Sequence, residues 1–132
     1  MAYSQTELAN SGLNGDTTLL ASAARTTTQT SSDITNMQTN ALVVVLNMTV
    51  AGTGSVTLSI EGKDTASGTY AVLLTGAAIT TVSTNRYKVG PIIAAVASSI
   101  AQDYLPAVFR IKVTANNANS ATYSVGYNLL KV

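Results

Sequence analysis

The segment from Leu105 to Leu130 constrains the fold more than any other part of this sequence. Apolar side chains recur at every second position over two strand-length runs, residues 107–114 and 123–130, and an Asn-rich stretch at 115–120 separates the runs. A period of two over so many residues is typical of antiparallel strands with one buried face, and asparagine tolerates the backbone conformations of a hairpin loop. The side chains predicted to face the core are Ala107, Phe109, Ile111, Val113, Tyr123, Val125, Tyr127 and Leu129. The segment therefore predicts a β-hairpin that closes a β-sandwich.

A second hairpin is predicted earlier in the chain. Val56, Leu58 and Ile60 alternate with polar neighbours and follow a turn that contains two glycines. This pattern predicts that residues 55–63 pair with residues 40–50. The other strand-like segments are 17–30, 69–75 and 85–89, whereas residues 91–101 are predicted to be irregular.

Together these segments predict an all-β fold. The chain shows seven to eight short strands with turn signals between them, without an alternation of strands and helices and without a fixed repeat. We expect a single-domain antiparallel β-sandwich, of jelly-roll or immunoglobulin-like type, over residues 17–132. Residues 1–16 are polar and follow no sustained period, so they are expected to form an extended N-terminal arm. A length of 132 residues suits one hydrophobic core.

One predicted strand is apolar on both faces. The run from Leu42 to Leu46 contains no polar residue. Such a strand is either central and covered on two sides, or exposed to a neighbouring subunit. Because the sequence predicts no helix with confidence, contact with a neighbouring subunit is the favoured interpretation.

The composition leaves little material for catalysis. The chain has no histidine and no cysteine, and therefore lacks the commonest general base, nucleophile and metal ligands. Glu61 and Asp64 flank a loop with Lys63 between them, which would suit a calcium clamp or a glycosidase pair. The simpler interpretation is a solvated turn that Asp64 initiates. We expect no enzyme activity, no cofactor and no metal site.

Charge and hydropathy limit the partners. Charged residues make up 10% of the chain and the net charge is +1, with the basic residues scattered, so nucleic-acid binding is not expected. No apolar run reaches the ~20 residues of a membrane-spanning helix, so no membrane association is expected. The N-terminal residues lack the basic start and apolar core of a secretory signal, which predicts use without export. The many short neutral side chains suit lateral packing in an assembly, or simply reflect the preference of Thr and Val for β-sheets.

Several segments resemble a family of small virion proteins of tailed bacteriophages that are encoded among the head genes. The matching segments are 21–26, 41–49, 58–64, 67–70, 105–106, 109–114 and 123–127. They are strand patterns rather than catalytic signatures, and they cover the chain from about residue 19 to its end. The resemblance implies a capsid decoration, or cement, protein that is assembled in the host cytoplasm. It would bind the outer surface of the phage head and bridge neighbouring major capsid subunits.

The resemblance also implies roles for particular residues. Copies of the chain would self-associate as trimers through the face that contains Val43 and Val45, and the arm would lie along the capsid or an adjacent copy. The residues expected to contact the capsid are Tyr3, Leu8, Leu13, Arg25, Arg86 and Lys88. Each contact would be weak, but a shell repeats it many times and gains avidity.

Two other functions remain open from the sequence. A tail, neck or fibre component would share the composition and the β fold. A carbohydrate-binding adhesion module would need an exposed aromatic platform, for which the six tyrosines are the candidates. Tyr70, Tyr87, Tyr123 and Tyr127 fall at inward or cross-strand positions, which predicts that they belong to the core.

Overall fold

The computed structural model of the protein describes residues 16–132, which form ten β-strands in two sheets and no helix. The strands are β1 (Asp16–Arg25), β2 (Gln29–Thr30), β3 (Ile34–Thr35), β4 (Ala41–Val50), β5 (Val56–Asp64), β6 (Thr69–Thr75), β7 (Ser83–Gly90), β8 (Ile100–Gln102), β9 (Val108–Ala115) and β10 (Ala121–Leu130). Residues 1–15, which include most of the predicted arm, lie outside this description. None of the described residues belongs to a helix that could span a membrane.

The two sheets pack face to face as a β-sandwich. Sheet A has the strand order β1-β10-β4-β7-β8, and sheet B has the order β2-β9-β5-β6, with β3 also paired to β9. Every pairing is antiparallel except that of β7 with β8. Most connections carry the chain from one sheet to the other. The predicted all-β fold is therefore confirmed, and the two sheets agree with the predicted sandwich, with ten strands where seven to eight were expected.

The predicted alternation places the core correctly. One cluster of buried side chains lies between the sheets. Its fully buried members include Leu42, Val44, Leu46, Met48, Leu58, Ile60, Phe109, Ile111, Val113, Tyr123 and Val125. Each large apolar side chain that is removed from water here contributes about 1.5–3 kcal/mol to folding. Of the residues predicted to face the core, Ala107 is exposed and Tyr127 is only half-buried.

The sequence predicted two hairpins, one of residues 107–114 with 123–130 and one of residues 40–50 with 55–63. Both predictions are wrong. Strand β9 pairs with β5 in sheet B, whereas β10 pairs with β1 and β4 in sheet A. Likewise β4 and β5 belong to different sheets. A period of two shows that a strand has one buried face, but it does not show whether the next strand lies beside it or across the core from it. The shorter turn between β5 and β6 does form a hairpin.

The strand boundaries differ from the prediction in two places. The predicted first strand, 17–30, is divided, because β1 ends at Arg25 and β2 joins the other sheet. Residues 91–101, predicted to be irregular, lead through a tight turn at Ser98 into the short strand β8. Seven of the described strands have seven or more residues, and β2, β3 and β8 have two or three.

Candidate functional site

The outer face of sheet A brings together four of the residues singled out in the sequence. Leu42, Val44 and Leu46 of β4 are buried, so the alternate residues Val43 and Val45 point outward and are half-buried. The register of β4 with β7 places Lys88 beside Val43 and Arg86 beside Val45. Two valines and two cations therefore lie next to one another on one open face.

A shallow depression lies at the centre of this face. It has a volume of about 250 Å³ and is lined by Thr17, Thr18, Val43, Val45, Arg86, Gly126, Tyr127 and Asn128. Gly126 of β10 lies directly beside Val45 and provides no side chain there. A Cβ atom placed on Gly126 would lie 3.4 Å from the backbone oxygen of Thr17, which is an ordinary contact. The depression therefore exists because a side chain is missing, and the neighbouring atoms would tolerate one.

The charges of this face have no partners in the described part of the chain. The ion pairs among residues 17–132 are Lys63–Asp33 and Arg110–Glu61. Neither Arg86 nor Lys88 has a carboxylate partner among these residues. An acidic group from outside residues 17–132 can therefore pair with either cation.

The outer face of sheet B differs, because four of its charged side chains form two ion pairs; Lys112 of β9 has no carboxylate partner among residues 17–132. Arg110 Nε lies 2.7 Å from Glu61 Oε1, and its guanidinium carbon lies 3.5 Å from the centre of the Tyr70 ring. Lys63 Nζ lies 2.8 Å from Asp33 Oδ2, and the Tyr70 hydroxyl donates to Asp33 Oδ1 at 2.5 Å. The hydrogen bonds from Lys63 and Tyr70 lower the pKa of Asp33, and the bond to Glu61 raises the pKa of Arg110. We call Asp33, Glu61, Lys63, Tyr70 and Arg110 the sheet B cluster.

The structure also bears on the sequence predictions for Tyr70 and for Asp64. Tyr70 was predicted to belong to the core, but it lies half-buried on the outer face under Arg110. Asp64 begins the turn between β5 and β6, as predicted: its side chain accepts hydrogen bonds from the Ala66 amide at 3.3 Å and the Ser67 hydroxyl at 2.7 Å. These bonds lower the pKa of Asp64. Glu61 and Asp64 thus have separate structural partners, and residues 16–132 contain no cluster of acidic ligands for a metal.

The other tyrosines divide between the core and the surface. Tyr87 and Tyr123 are buried, in agreement with the prediction, whereas Tyr127 is half-buried and packs against the core from its margin. Burial raises the pKa of the Tyr87 and Tyr123 hydroxyls. Tyr104 is 75% exposed. The described residues therefore present one open tyrosine ring rather than a platform of several.

Arg25 has a structural role at the edge of sheet A. Its Nη1 donates to the Tyr123 carbonyl at 2.6 Å and to the Ala23 carbonyl at 3.2 Å, and its Nη2 donates to the Ala21 carbonyl at 2.5 Å. The pairing of β1 with β10 shifts register between Leu20 and Ala23. Arg25 thus holds the irregular end of β1 against β10. Its expected contact with a capsid stays a prediction, and it would have to use the donors that remain.

Gly126 was not recognised from the sequence as part of the site. A glycine within an alternating strand often marks a place where another group approaches closely, and this signal was present. Tyr3, Leu8 and Leu13, which were expected to contact a capsid, lie outside the described residues.

Comparison with known proteins adds no identification. No protein-family model matches the chain, and a search of curated proteins gives no similar sequence. The geometry of the two outer faces is therefore the basis for assigning a function.

Proposed function

We propose that this protein is a capsid decoration, or cement, protein of a tailed bacteriophage, which binds the outside of the head and stabilises contacts between major capsid subunits. The observation that supports this proposal best is the contrast between the two outer faces. On the outer face of sheet B, four charged side chains form two ion pairs and Lys112 has no carboxylate partner among residues 17–132, whereas sheet A presents two valines, a depression and two cations without such a partner. Sheet A therefore has the features of a docking face, and sheet B those of a face turned to solvent.

The sandwich itself is proposed to be a jelly roll rather than an immunoglobulin-like fold. If β2 and β3 count as one interrupted strand and β8 as an addition, each sheet has four strands, in the orders β1-β10-β4-β7 and β2/β3-β9-β5-β6. The first strand pairs with the last, and the chain changes sheet at nearly every connection. Jelly rolls built this way occur in viral capsid and lectin domains. The fold type is thus compatible with the proposed function, and also with carbohydrate binding.

The proposed mechanism assigns separate tasks to the residues of the face. Val43 and Val45 would pack against neighbouring copies in a trimer, and complete burial of each half-buried valine would contribute about 1 kcal/mol. Arg86 and Lys88 would bind acidic groups of the major capsid protein. Repetition of such weak contacts over the shell supplies the avidity that strengthens the head. The proposed partners are the major capsid protein and other copies of the chain, in the virion, without nucleic acid.

The two alternatives have less support. A carbohydrate-binding module would need a platform, but Tyr87 and Tyr123 are buried and Arg110 covers the ring of Tyr70. A tail, neck or fibre component would use the same open face at another location. It differs from a cement protein in copy number and position, which an experiment can measure.

The test is to mix the purified protein with expanded, undecorated heads of its phage, pellet the heads and measure bound copies and heat resistance. We expect saturable binding in fixed proportion to the major capsid subunits and a higher rupture temperature. The double variant Val43→Ser with Val45→Ser should bind at least about tenfold more weakly. Its control is Val72→Ser, since Val72 is 58% exposed on β6 and lies in sheet B. No binding to heads, with a few copies found in tails, would instead establish a tail component.

A further inference from the structure

Strand β7 has no neighbouring strand along the first part of its outer edge. Strand β4 pairs with one side of β7 from Ser83 to Val89, whereas β8 pairs with the other side only from Lys88 to Gly90. The residues of β7 before Lys88 therefore form an edge that is open within the described part of the chain. An open strand edge can pair with another extended segment.

The open edge presents the backbone groups of Thr84 and Arg86. The Lys88 amide donates to the Ser99 carbonyl at 2.9 Å, on the side of β8. The backbone groups of alternate residues point to the same side of a strand, so those of Thr84 and Arg86 also point to this side. Neither residue has a backbone hydrogen-bond partner there within residues 16–132. Among these residues, two N–H donors and two C=O acceptors are thus left without a partner strand.

A groove of about 430 Å³ lies along this edge, between β7 and the segment that follows β6. Arg86 is the one charged side chain among the described residues that line the groove. Ala77 and Ala78, which are exposed, form a wall on the side of sheet B. The groove therefore combines a row of backbone hydrogen-bond groups, one cation and a small apolar surface.

An extended peptide fits this groove better than a free anion does. A free anion beside Arg86 would also meet the backbone carbonyls of Thr84 and Arg86, which repel it. An extended peptide can bond to both the N–H and the C=O groups of the edge, and its alternate side chains point to opposite faces. An acidic side chain can then lie beside the outward-pointing Arg86, while the apolar side chains before and after it cover Ala77 and Ala78.

The acidic side chain is better supplied by a different protein than by residues 17–132 of a second copy. All carboxylates in this range accept hydrogen bonds within their own chain; they belong to Asp33, Glu61, Asp64 and Asp103. Pairing of two β7 edges would also bring Arg86 of one copy near Arg86 of the other, and like charges on adjacent strands are destabilising. The charge of the groove therefore favours a partner with an acidic strand of its own.

We propose that the open edge of β7 binds an extended segment of another protein, in which one acidic residue is flanked by apolar residues, and adds it to sheet A as a further strand. The acidic side chain pairs with Arg86, and the backbone of the segment pairs with Thr84 and Arg86. The bound segment lies in line with β8, which occupies the same side of β7 from Lys88 onward. This binding does not require a capsid protein as the partner, so it goes beyond the proposed function.

The test is a titration of the isotope-labelled full-length protein with a blocked seven-residue peptide, followed by nuclear magnetic resonance. The peptide has glutamate at its centre, valine on each side of the glutamate and two threonines at each end. With the peptide at about ten times its dissociation constant, we expect the amide hydrogens of Thr84 and Arg86 to exchange about tenfold more slowly, because only the unbound fraction exposes them. Absence of binding at millimolar peptide, or binding that leaves both amides exchanging as before, would overturn the proposal.

Two variants at Thr84 test the backbone pairing. Thr84→Pro removes one N–H donor from the open edge but no hydrogen bond to β4, so the peptide should bind about tenfold more weakly to a protein that stays folded. The control is Thr84→Val, which loses the hydroxyl bond to Asn47 Oδ1 but keeps the N–H, and which should bind the peptide as the original protein does. Thermal unfolding verifies that both variants are folded. Equal affinities of the two folded variants would mean that the peptide does not pair with this edge.

A charge exchange tests the role of Arg86 independently of the variants at Thr84. A peptide with lysine in place of the glutamate should bind about tenfold more weakly, because an attraction becomes a repulsion. Arg86→Glu should reverse this preference, whereas Lys112→Glu, on the outer face of sheet B, should retain it. An unchanged preference in Arg86→Glu would overturn the proposed pairing. The assay contains no phage heads, so its failure leaves the proposed function standing.

Discussion

Gly126 is the residue on which the shape of the candidate face depends most. Because a Cβ atom at Gly126 would meet only the Thr17 backbone oxygen, at 3.4 Å, we expect Gly126→Val to fill the depression and to raise the stability of β10 by up to about 1 kcal/mol. We expect binding to phage heads to fall at least about tenfold at the same time. Thermal unfolding and head pelleting measure the two effects. The control is Thr57→Val, because Thr57 is half-buried on the outer face of sheet B. Unchanged binding by Gly126→Val would show that the partner does not use the depression.

Ser98 is strained in a way that a substitution can relieve. Its φ angle is 63°, a left-handed conformation that glycine adopts freely and other residues do not. The Ser99 amide donates to the Val96 carbonyl at 3.2 Å across this turn. Ser98→Gly should therefore stabilise the protein by about 0.5 kcal/mol, seen as a higher urea midpoint with an unchanged slope. Ser98→Ala keeps the strain and should give no gain; equal midpoints for the two variants would contradict this account.

Single residues of the site could be identified from the sequence, but their positions relative to one another could not. Val43 and Val45 point outward because they alternate with buried residues of β4, which the sequence indicates. Their position beside Arg86 and Lys88 depends on the register of β4 with β7, which spacing along the chain does not determine. Gly126 joins the site from a third strand for the same reason.

At the scale of elements, the sheet B cluster holds the segment of β2 and β3 to the sheet. Asp33 lies between these two short strands and bonds to Lys63 and Tyr70. Its pKa is lowered in the folded protein, so the stability it contributes is present above its ordinary pKa near 3.8 and is lost as the pH falls through the lower folded value.

The lowered pKa of Asp33 predicts how the stability of the variant Asp33→Asn depends on pH. The variant should be less stable than the original protein at pH 7, and the difference should shrink below about pH 4. Urea unfolding from pH 7 to pH 2.5 measures it. A difference that grows toward low pH would mean that the cluster does not stabilise the charged form of Asp33. Adding Lys63→Gln to Asp33→Asn should lower the stability little further, since both changes break the same ion pair.

The strands themselves could be predicted from the sequence, but the strands that they pair with could not. The buried positions of β5, β9 and β10 follow from alternation alone, because one face of each strand must leave water. The pairing of β9 with β5, and of β10 with β1 and β4, depends on contacts between segments that are far apart in the chain. The loop at residues 116–120 crosses between the sheets, although its Asn-rich composition also suits a hairpin.

At the scale of the whole molecule, the two outer faces of the sandwich differ from each other. Within residues 17–132, sheet A offers apolar side chains and two cations without carboxylate partners, whereas the sheet B cluster pairs four charges of the opposite face and leaves Lys112. A protein that decorates a shell needs such a difference, because one side binds the shell and the other meets solvent. The orientation of the bound protein is therefore its most specific consequence.

Lysine modification on decorated heads measures this orientation directly. Lys88 lies on the outer face of sheet A beside Val43, and Lys112 lies on the outer face of sheet B between the buried Ile111 and Val113. Heads saturated with the protein would be treated with an amine-reactive reagent, and modification at both lysines compared with that of the free protein by mass spectrometry. Binding through sheet A predicts that Lys88 is protected on heads while Lys112 reacts as it does in solution. Protection of Lys112 with full reactivity of Lys88 would contradict it.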